Sequence, residues 1–121
     1  MKANELMIGD KVMVKVLSQI PDTYVLHTWT ANDYSRDIQV KPIKLTPEIL
    51  EKNGWEEKAP TQYRHNCCIC IDILDDSCYC VYNYFDSFPY CKINLTIHYV
   101  HELQHALRLC GLNSLADNFK I

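Results

Sequence analysis

One segment of this sequence repeats its apolar residues at a helical period long enough to dictate structure. It is residues 96–111, T-I-H-Y-V-H-E-L-Q-H-A-L-R-L-C-G. At about 100° per residue, Val100, Leu103, Leu107 and Cys110 fall on one side, flanked by Tyr99 and Ala106. That stripe must be buried against another layer. Thr96 offers a side-chain oxygen to the open N–H groups of a first turn. Gly111 can take the left-handed conformation that ends a helix, so that Leu112 folds back onto Leu107. On this placement His98, His101 and His105 cluster almost opposite the stripe with Glu102 beside them, turned to solvent or into a cleft.

Upstream, the pattern is mostly that of short strands. Residues 3–6 can form a turn of helix, and Ile8-Gly9-Asp10 is a turn. Valines 12, 14 and 16 alternate with Lys11, Met13 and Lys15, as on a half-buried strand. After the break at Pro21-Asp22, residues 23–30 read as a second strand and Ala31-Asn32-Asp33 as a loop. Residues 37–45 read as a third strand, held to an edge by Pro42. A short helix follows at 46–54, with Thr46 as cap, Pro47 at its first position, Glu48 at its positive end and Gly54 at its close. Leu45 can staple to Leu50, and Trp55 can pack back on it. Residues 56–61 read as a polar connection, 62–92 as a hairpin or small meander, and 113–117 as one more helical turn. The expected fold is α+β: a small N-terminal antiparallel sheet or SH3-like barrel (1–45), the capped helix, the hairpin, and the C-terminal helix packed on the sheet.

At 121 residues the chain is the size of one domain, or of two small lobes sharing a core. A formal charge of −3 gives no electrostatic case for gripping nucleic acid. No apolar run approaches the roughly 20 residues of a membrane span, and Met1-Lys2-Ala3-Asn4-Glu5 lacks the apolar segment of a secretory signal. The expectation is a soluble, cytoplasmic protein. Its seven cysteines, six of them within 67–91, are then expected to be reduced thiols.

His101-Glu102-Leu103-Gln104-His105 spells H-E-x-x-H, which on a helix supplies two zinc ligands and a general base. Catalysis needs a third protein ligand as well. The extended motif stops short, because Arg108 and Gly111 stand where its Gly and third His belong. A third ligand would have to be His27, His65, His98 or a cysteine brought in by the fold. The plainer reading is the polar face of a packed helix. A second candidate metal site is Cys68-x-Cys70 with Cys78-x-Cys80. A two-residue turn at Asp75-Asp76 would place Cys67, Ile69, Ile71 and Ile73 on one face with Cys78, Cys80, Tyr82 and Tyr84, separating the two pairs. A three-residue loop would bring the pairs to one face. Small core residues are the default for these cysteines. Tyr82, Tyr84, Phe85 and Phe88, with Tyr79 and Tyr90, can line a pocket for a planar ligand, form a protein-binding patch or fill the core of a small lobe.

Several stretches together carry a resemblance. They are Lys2-Ala3-Asn4-Glu5-Leu6 with Ile8-Gly9, Leu45-Thr46-Pro47-Glu48 with Asn53-Gly54-Trp55, and Tyr99-Val100-His101-Glu102-Leu103-Gln104. The chain resembles a family of small uncharacterised proteins from phages, prophages and mobile elements of Bacteroides-type bacteria. Members of that family read closer to V-H-Q-L-Q-N where this chain has Val100 to His105, so the resemblance implies that H-E-x-x-H arose here on a structural helix. The cysteine-rich hairpin also departs from the family.

Three readings follow. The preferred one is a non-catalytic accessory protein without a cofactor, binding a host component such as a host-defence protein or a small signalling molecule. The alternatives are a zinc-dependent hydrolase using His101, His105 and Glu102, and a binding module stabilised by zinc on Cys68, Cys70, Cys78 and Cys80.

Overall fold

The computed structural model describes residues 5–16, 23–35, 38–65, 69–75, 78–83 and 94–121. The architecture is α+β, with two antiparallel sheets and a C-terminal helix seated between them. Among the described residues the first sheet is three-stranded and open, the sheet rather than the barrel of the two expected forms. Its centre is β1 (Lys11–Val16), flanked by β2 (Thr23–Thr28) and β3 (Val40–Lys41). Of the described residues of the expected third strand, Val40–Lys41 join this sheet and Lys44 bridges to Tyr99 instead, and the expected loop after β2 is a 3-10 turn at Ala31–Ser35. Leu6, Val12, Trp29 and Val40 form the buried core of this lobe.

Helix α1 (Pro47–Lys52) is built as its punctuation dictates. Thr46 Oγ1 accepts from Ile49 N–H at 3.3 Å. At the other end Trp55 N–H donates to Leu50 O at 3.1 Å and Gly54 N–H to Glu51 O at 3.2 Å, the paired bonds of a glycine-terminated helix. Leu50 and Trp55 are both buried.

The second sheet is a meander of five strands in the order β4 (Glu56–Ala59), β5 (Gln62–His65), β6 (Ile69–Asp75), β7 (Cys78–Asn83) and β8 (Asn94–Ile97). Two expectations are corrected here. Residues 56–59 are an edge strand rather than a connection. All four are exposed, so no apolar alternation marks them, and charges are what an outer edge carries.

The hairpin register differs by one residue from that of a two-residue turn at Asp75-Asp76 and is the one the three-residue loop would give, with Cys70 and Cys80 on one face. Ile69, Ile71 and Ile73 stand opposite Asn83, Val81 and Tyr79, while Cys70 and Asp72 stand opposite Tyr82 and Cys80. A bulge between Ile73 and Asp75 passes over Leu74, which is exposed. The slip moves Cys80 and Tyr82 to the face of Cys70 and Asp72, and it buries Tyr79 and Val81 in their place. Tyr79 Oη then donates to Leu45 O at 2.9 Å. One tyrosine replaces another and a valine replaces a cysteine, and the valine buries more apolar area, which favours this register.

The last helix, α2 (Val100–Leu109), starts later than expected. Thr96, expected as its cap, belongs to β8. Leu45 N–H donates to His98 O at 3.2 Å and Val100 N–H to Ile43 O at 2.8 Å, so residues 98–99 stay extended beside 43–45. Val100, Leu103, Ala106 and Leu107 pack into the core of the larger sheet. The helix ends as expected: Gly111 lies at φ +77°, and Leu112 N–H donates to Leu107 O at 2.9 Å. Helix α3 (Asn113–Asp117) follows, and Phe119 returns to the core. Asn53 grips the C-terminal strap, donating to Lys120 O at 2.8 Å and accepting from Lys120 N–H at 2.7 Å.

Gly54 lies at φ +84°, and a Cβ there would stand 3.3 Å from His65 Nε2. Gly54→Ala is expected to lose about 1–2 kcal/mol. Urea unfolding would show this as a lower midpoint at unchanged slope.

Candidate functional site

His101, Gln104, His105 and Arg108 recur at i, i+3, i+4 and i+7 on α2, so they form one row along the helix. The row does not face solvent. It is laid against the turn at residues 7–11, whose geometry Gly9 sets at φ +94°. A Cβ at Gly9 would come within 2.8 Å of both Arg108 Nη2 and Asp117 Oδ1, so only glycine allows this approach.

Asp10 is fully buried at the centre. Its Oδ2 accepts from Met7 N–H at 2.8 Å and lies 2.5 Å from His105 Nε2. Its Oδ1 accepts from Arg108 Nη1 at 2.5 Å. Arg108 Nη2 reaches on to Asp117 Oδ1 at 3.3 Å. Burial pushes the Asp10 carboxyl up, but the hydrogen bonds from His105, Met7 and Arg108 outweigh it and hold the group below the usual carboxylate range.

Gln104 is also fully buried. It accepts from Lys11 N–H at 2.8 Å and donates to Gly9 O at 3.0 Å and to Ala116 O at 2.8 Å. One amide thus joins β1, the turn and α3.

The H-E-x-x-H residues take structural positions that the helical period alone did not reveal. His101 was expected outside and is 6 % exposed. Its ring stacks on Tyr99, with centroids 5.9 Å apart and planes 11° apart, and meets the His105 ring edge-on at 5.5 Å. Its Nδ1 is buried with no hydrogen-bond partner among the described residues. Burial, with His105 beside it, holds His101 below the usual histidine range.

Glu102 caps the helix. Its Oε1 accepts from His98 N–H at 2.9 Å and from Tyr99 N–H at 3.0 Å. Glu5, Pro42, Tyr99, His101 and Glu102 line an open cleft of about 290 Å³. A hydrolytic zinc would need Glu102 aimed at a metal-bound water and a third ligand beside the two histidines. Here the Glu102 oxygen holds backbone, and His105 Nε2 is turned to Asp10. Among the described residues, no group of three or more His, Cys, Asp or Glu side chains converges as such a site requires.

Of the expected cysteine site, Cys70, Cys78 and Cys80 are described, and each carries a thiol rather than a disulfide. Cys68, together with Tyr84, Phe85 and Phe88 of the expected aromatic pocket, lies outside the described residues. Burial raises the Cys70 thiol above its usual range, and burial followed by Asp72 and Cys78 raises Cys80. Both shifts favour the thiol over the thiolate that metals and electrophiles require. Tyr82 is engaged within the sheet. It accepts from Gln62 Nε2 at 2.8 Å and donates to Asp72 Oδ1 at 3.2 Å.

Sequence reasoning missed Asp10, which it read only as a turn residue, and Gln104 as a clamp. The i, i+3, i+4, i+7 row of polar side chains was the available signal. No protein-family model, curated protein or solved structure matches the chain.

His101 and Asp10, the two depressed groups of this row and its partner turn, act in separate pH windows. A histidine whose folded pKa is lowered contributes its full stability above the unfolded value of about 6.5 and loses it as pH falls toward the folded value. The carboxylate of Asp10 does the same below an unfolded value of about 3.9. Melting temperature should therefore fall in two steps on acidification. His101→Phe should flatten the first step. Asp10→Ala should shrink the second, to which the buried Asp33 also contributes, and cost about 3 kcal/mol at neutral pH, because it leaves the largely buried Arg108 with only the exposed Asp117 for a partner.

Proposed function

We propose that the protein is a non-catalytic binding protein, an accessory factor of a phage or mobile element that engages a host component stoichiometrically. A host-defence protein or a small signalling molecule is the class of target in view. One observation carries the reading: the side chains best suited to chemistry are committed to holding the chain together. Glu102 caps α2, His105 and Arg108 satisfy Asp10, and Gln104 clamps three segments. A general base must be within reach of the proton it removes, and a carboxylate oxygen bonded to two backbone N–H groups is poorly placed for that. The resemblance to phage and mobile-element proteins supports the same reading from a separate direction. Among the described residues, no helix is long and apolar enough to cross a membrane.

The test turns on Glu102. A glutamine amide oxygen can accept the same two N–H bonds, so Glu102→Gln is expected to keep the melting temperature within a degree or two and to keep full effect on the host. Glu102→Ala is expected to lose about 1 kcal/mol as the cap is removed. The effect on the host should saturate at about one chain per target. Loss of effect in a well-folded Glu102→Gln variant, or full effect at far below one chain per target, would overturn the proposal in favour of hydrolysis.

A further inference from the structure

The outer edge of the three-stranded sheet is built to take a further strand. Lys15 N–H donates to Gln39 O at 3.0 Å, so the odd residues of β1 bond toward the β3 side. Lys11 N–H points to that side as well and finds Gln104 there. Val12, Val14 and Val16 therefore bond toward β2, where they stand opposite His27, Val25 and Thr23. Trp29 agrees with this phase, exchanging 2.8 Å bonds with Gly9 and Asp10 on the β1 side. By alternation Tyr24, Leu26 and Thr28 turn their N–H and C=O groups the other way, and no described strand lies on that side. Val25 and Leu26 are 43 % and 52 % exposed.

β2 reads Thr-Tyr-Val-Leu-His-Thr. It has no lysine, proline or bulge of its own, the devices that usually blunt an edge. What it has is borrowed from its neighbours. Lys11 Nζ donates to Thr28 Oγ1 at 2.6 Å, and Lys41 Nζ lies 4.0 Å from the centre of the Tyr24 ring. Tyr24, Leu26 and Thr28 share one face with Lys11 and Lys41, so an ammonium stands on either side of Leu26. Among the described residues neither lysine has an acidic partner. The chain as a whole is acidic, with a formal charge of −3.

We propose that the free edge of β2 docks an extended acidic segment of a partner protein by strand addition. Backbone bonds would form at Tyr24, Leu26 and Thr28, an apolar side chain would lie on Leu26, and carboxylates would meet Lys11 and Lys41. The same geometry disfavours a second copy of this chain. An antiparallel two-fold pairing centred on Leu26 sets Thr28 against Tyr24 of the second copy, which brings the Lys11 of one against the Lys41 of the other. The inference rests on the binding reading above and names the surface that performs it.

The test is a titration of the whole chain against a capped, labelled peptide with the core Glu-Val-Leu-Thr-Glu, beside a control with lysines for glutamates. Saturable one-to-one binding of the acidic peptide is expected, weakening with salt, with the control at least about tenfold weaker. The double variant Lys11→Glu/Lys41→Glu should invert that preference. Leu26→Pro removes an outward donor and leaves the bonds to β1 in place, so it should abolish binding with an unchanged circular dichroism spectrum. Hydrogen exchange on the wild type supplies a readout that does not depend on that variant folding: the amides of Tyr24, Leu26 and Thr28 should gain protection when the peptide is added. No binding of the acidic peptide, equal binding of both peptides, or protection gained elsewhere would overturn the proposal. So would a concentration-dependent dimer that protects the same amides without peptide. If wild type and folded Leu26→Pro hold the host component equally well, the edge is wrong and the binding reading stands. Turnover at substoichiometric chain overturns the binding reading itself.

Discussion

The arrangement of the whole molecule depends on one buried carboxylate. Asp10 has no exposed surface, and an unpaired ion in such a place would cost several kcal/mol. It is tolerated because three donors reach it from separate parts of the structure: Met7 N–H from its own turn, and His105 and Arg108 from successive turns of α2. Apolar burial is non-directional, and among the described residues the buried core of the smaller lobe is Leu6, Val12, Trp29 and Val40. Four such residues can hold a sheet against a helix without fixing its angle or register. The directional bonds of Asp10 and Gln104 fix both. They do so from one row of side chains, so α2 serves as core on one side and as joint on the other.

That double duty gives a metalloprotease spelling a structural place on the helix. Two histidines at i and i+4 make a metal site when both ring nitrogens face a common opening. Here the same spacing lays His101 against Tyr99 and His105 against Asp10. Glu102, which a hydrolase would aim at water, lies at the third residue of the helix, where a carboxylate is favoured as a cap. Each residue of the motif has a structural reason to be the residue it is.

How much of this was legible in the sequence depended on whether the deciding partner was local. The ends of α1, the Gly111 terminus and the apolar stripe were readable because cap, glycine and period lie within a few residues of one another. The start of α2 was not, since residues 98–99 are held extended by backbone bonds to 43–45, more than fifty positions away. The hairpin register turned on a single bulge at Leu74, and the faces of Cys80 and Tyr82 turned with it. β4 escaped notice because an edge strand exposed on both faces has no alternation to show. Asp10 was hardest: a turn aspartate looks the same in sequence whether it faces water or a helix 95 positions further along the chain. The polar row on α2 carried the missing information, since a buried helix face with His, Gln, His and Arg at helical spacing implies a buried acid opposite it.

The same bonds that seat the two sheets also dispose of their edges. The β3 edge is short, and past its end the N–H of Lys11 is taken by Gln104. β4 carries Glu56, Glu57 and Lys58 along its exposed length. β8 runs into the segment at 98–100 that 43–45 already occupies. Each device closes an edge against casual pairing. β2 differs, because it carries no lysine or carboxylate of its own and its protection is lent by two lysines reaching across from β1 and β3. Lysines placed this way repel a second copy or a basic strand, and they attract an acidic one. An edge guarded by charge of one sign is selective where an edge guarded by proline or a bulge is merely closed. Because Asp10 and Gln104 lock the first sheet to the helix, a strand arriving at β2 would meet a surface already in its binding geometry, with little ordering left to do.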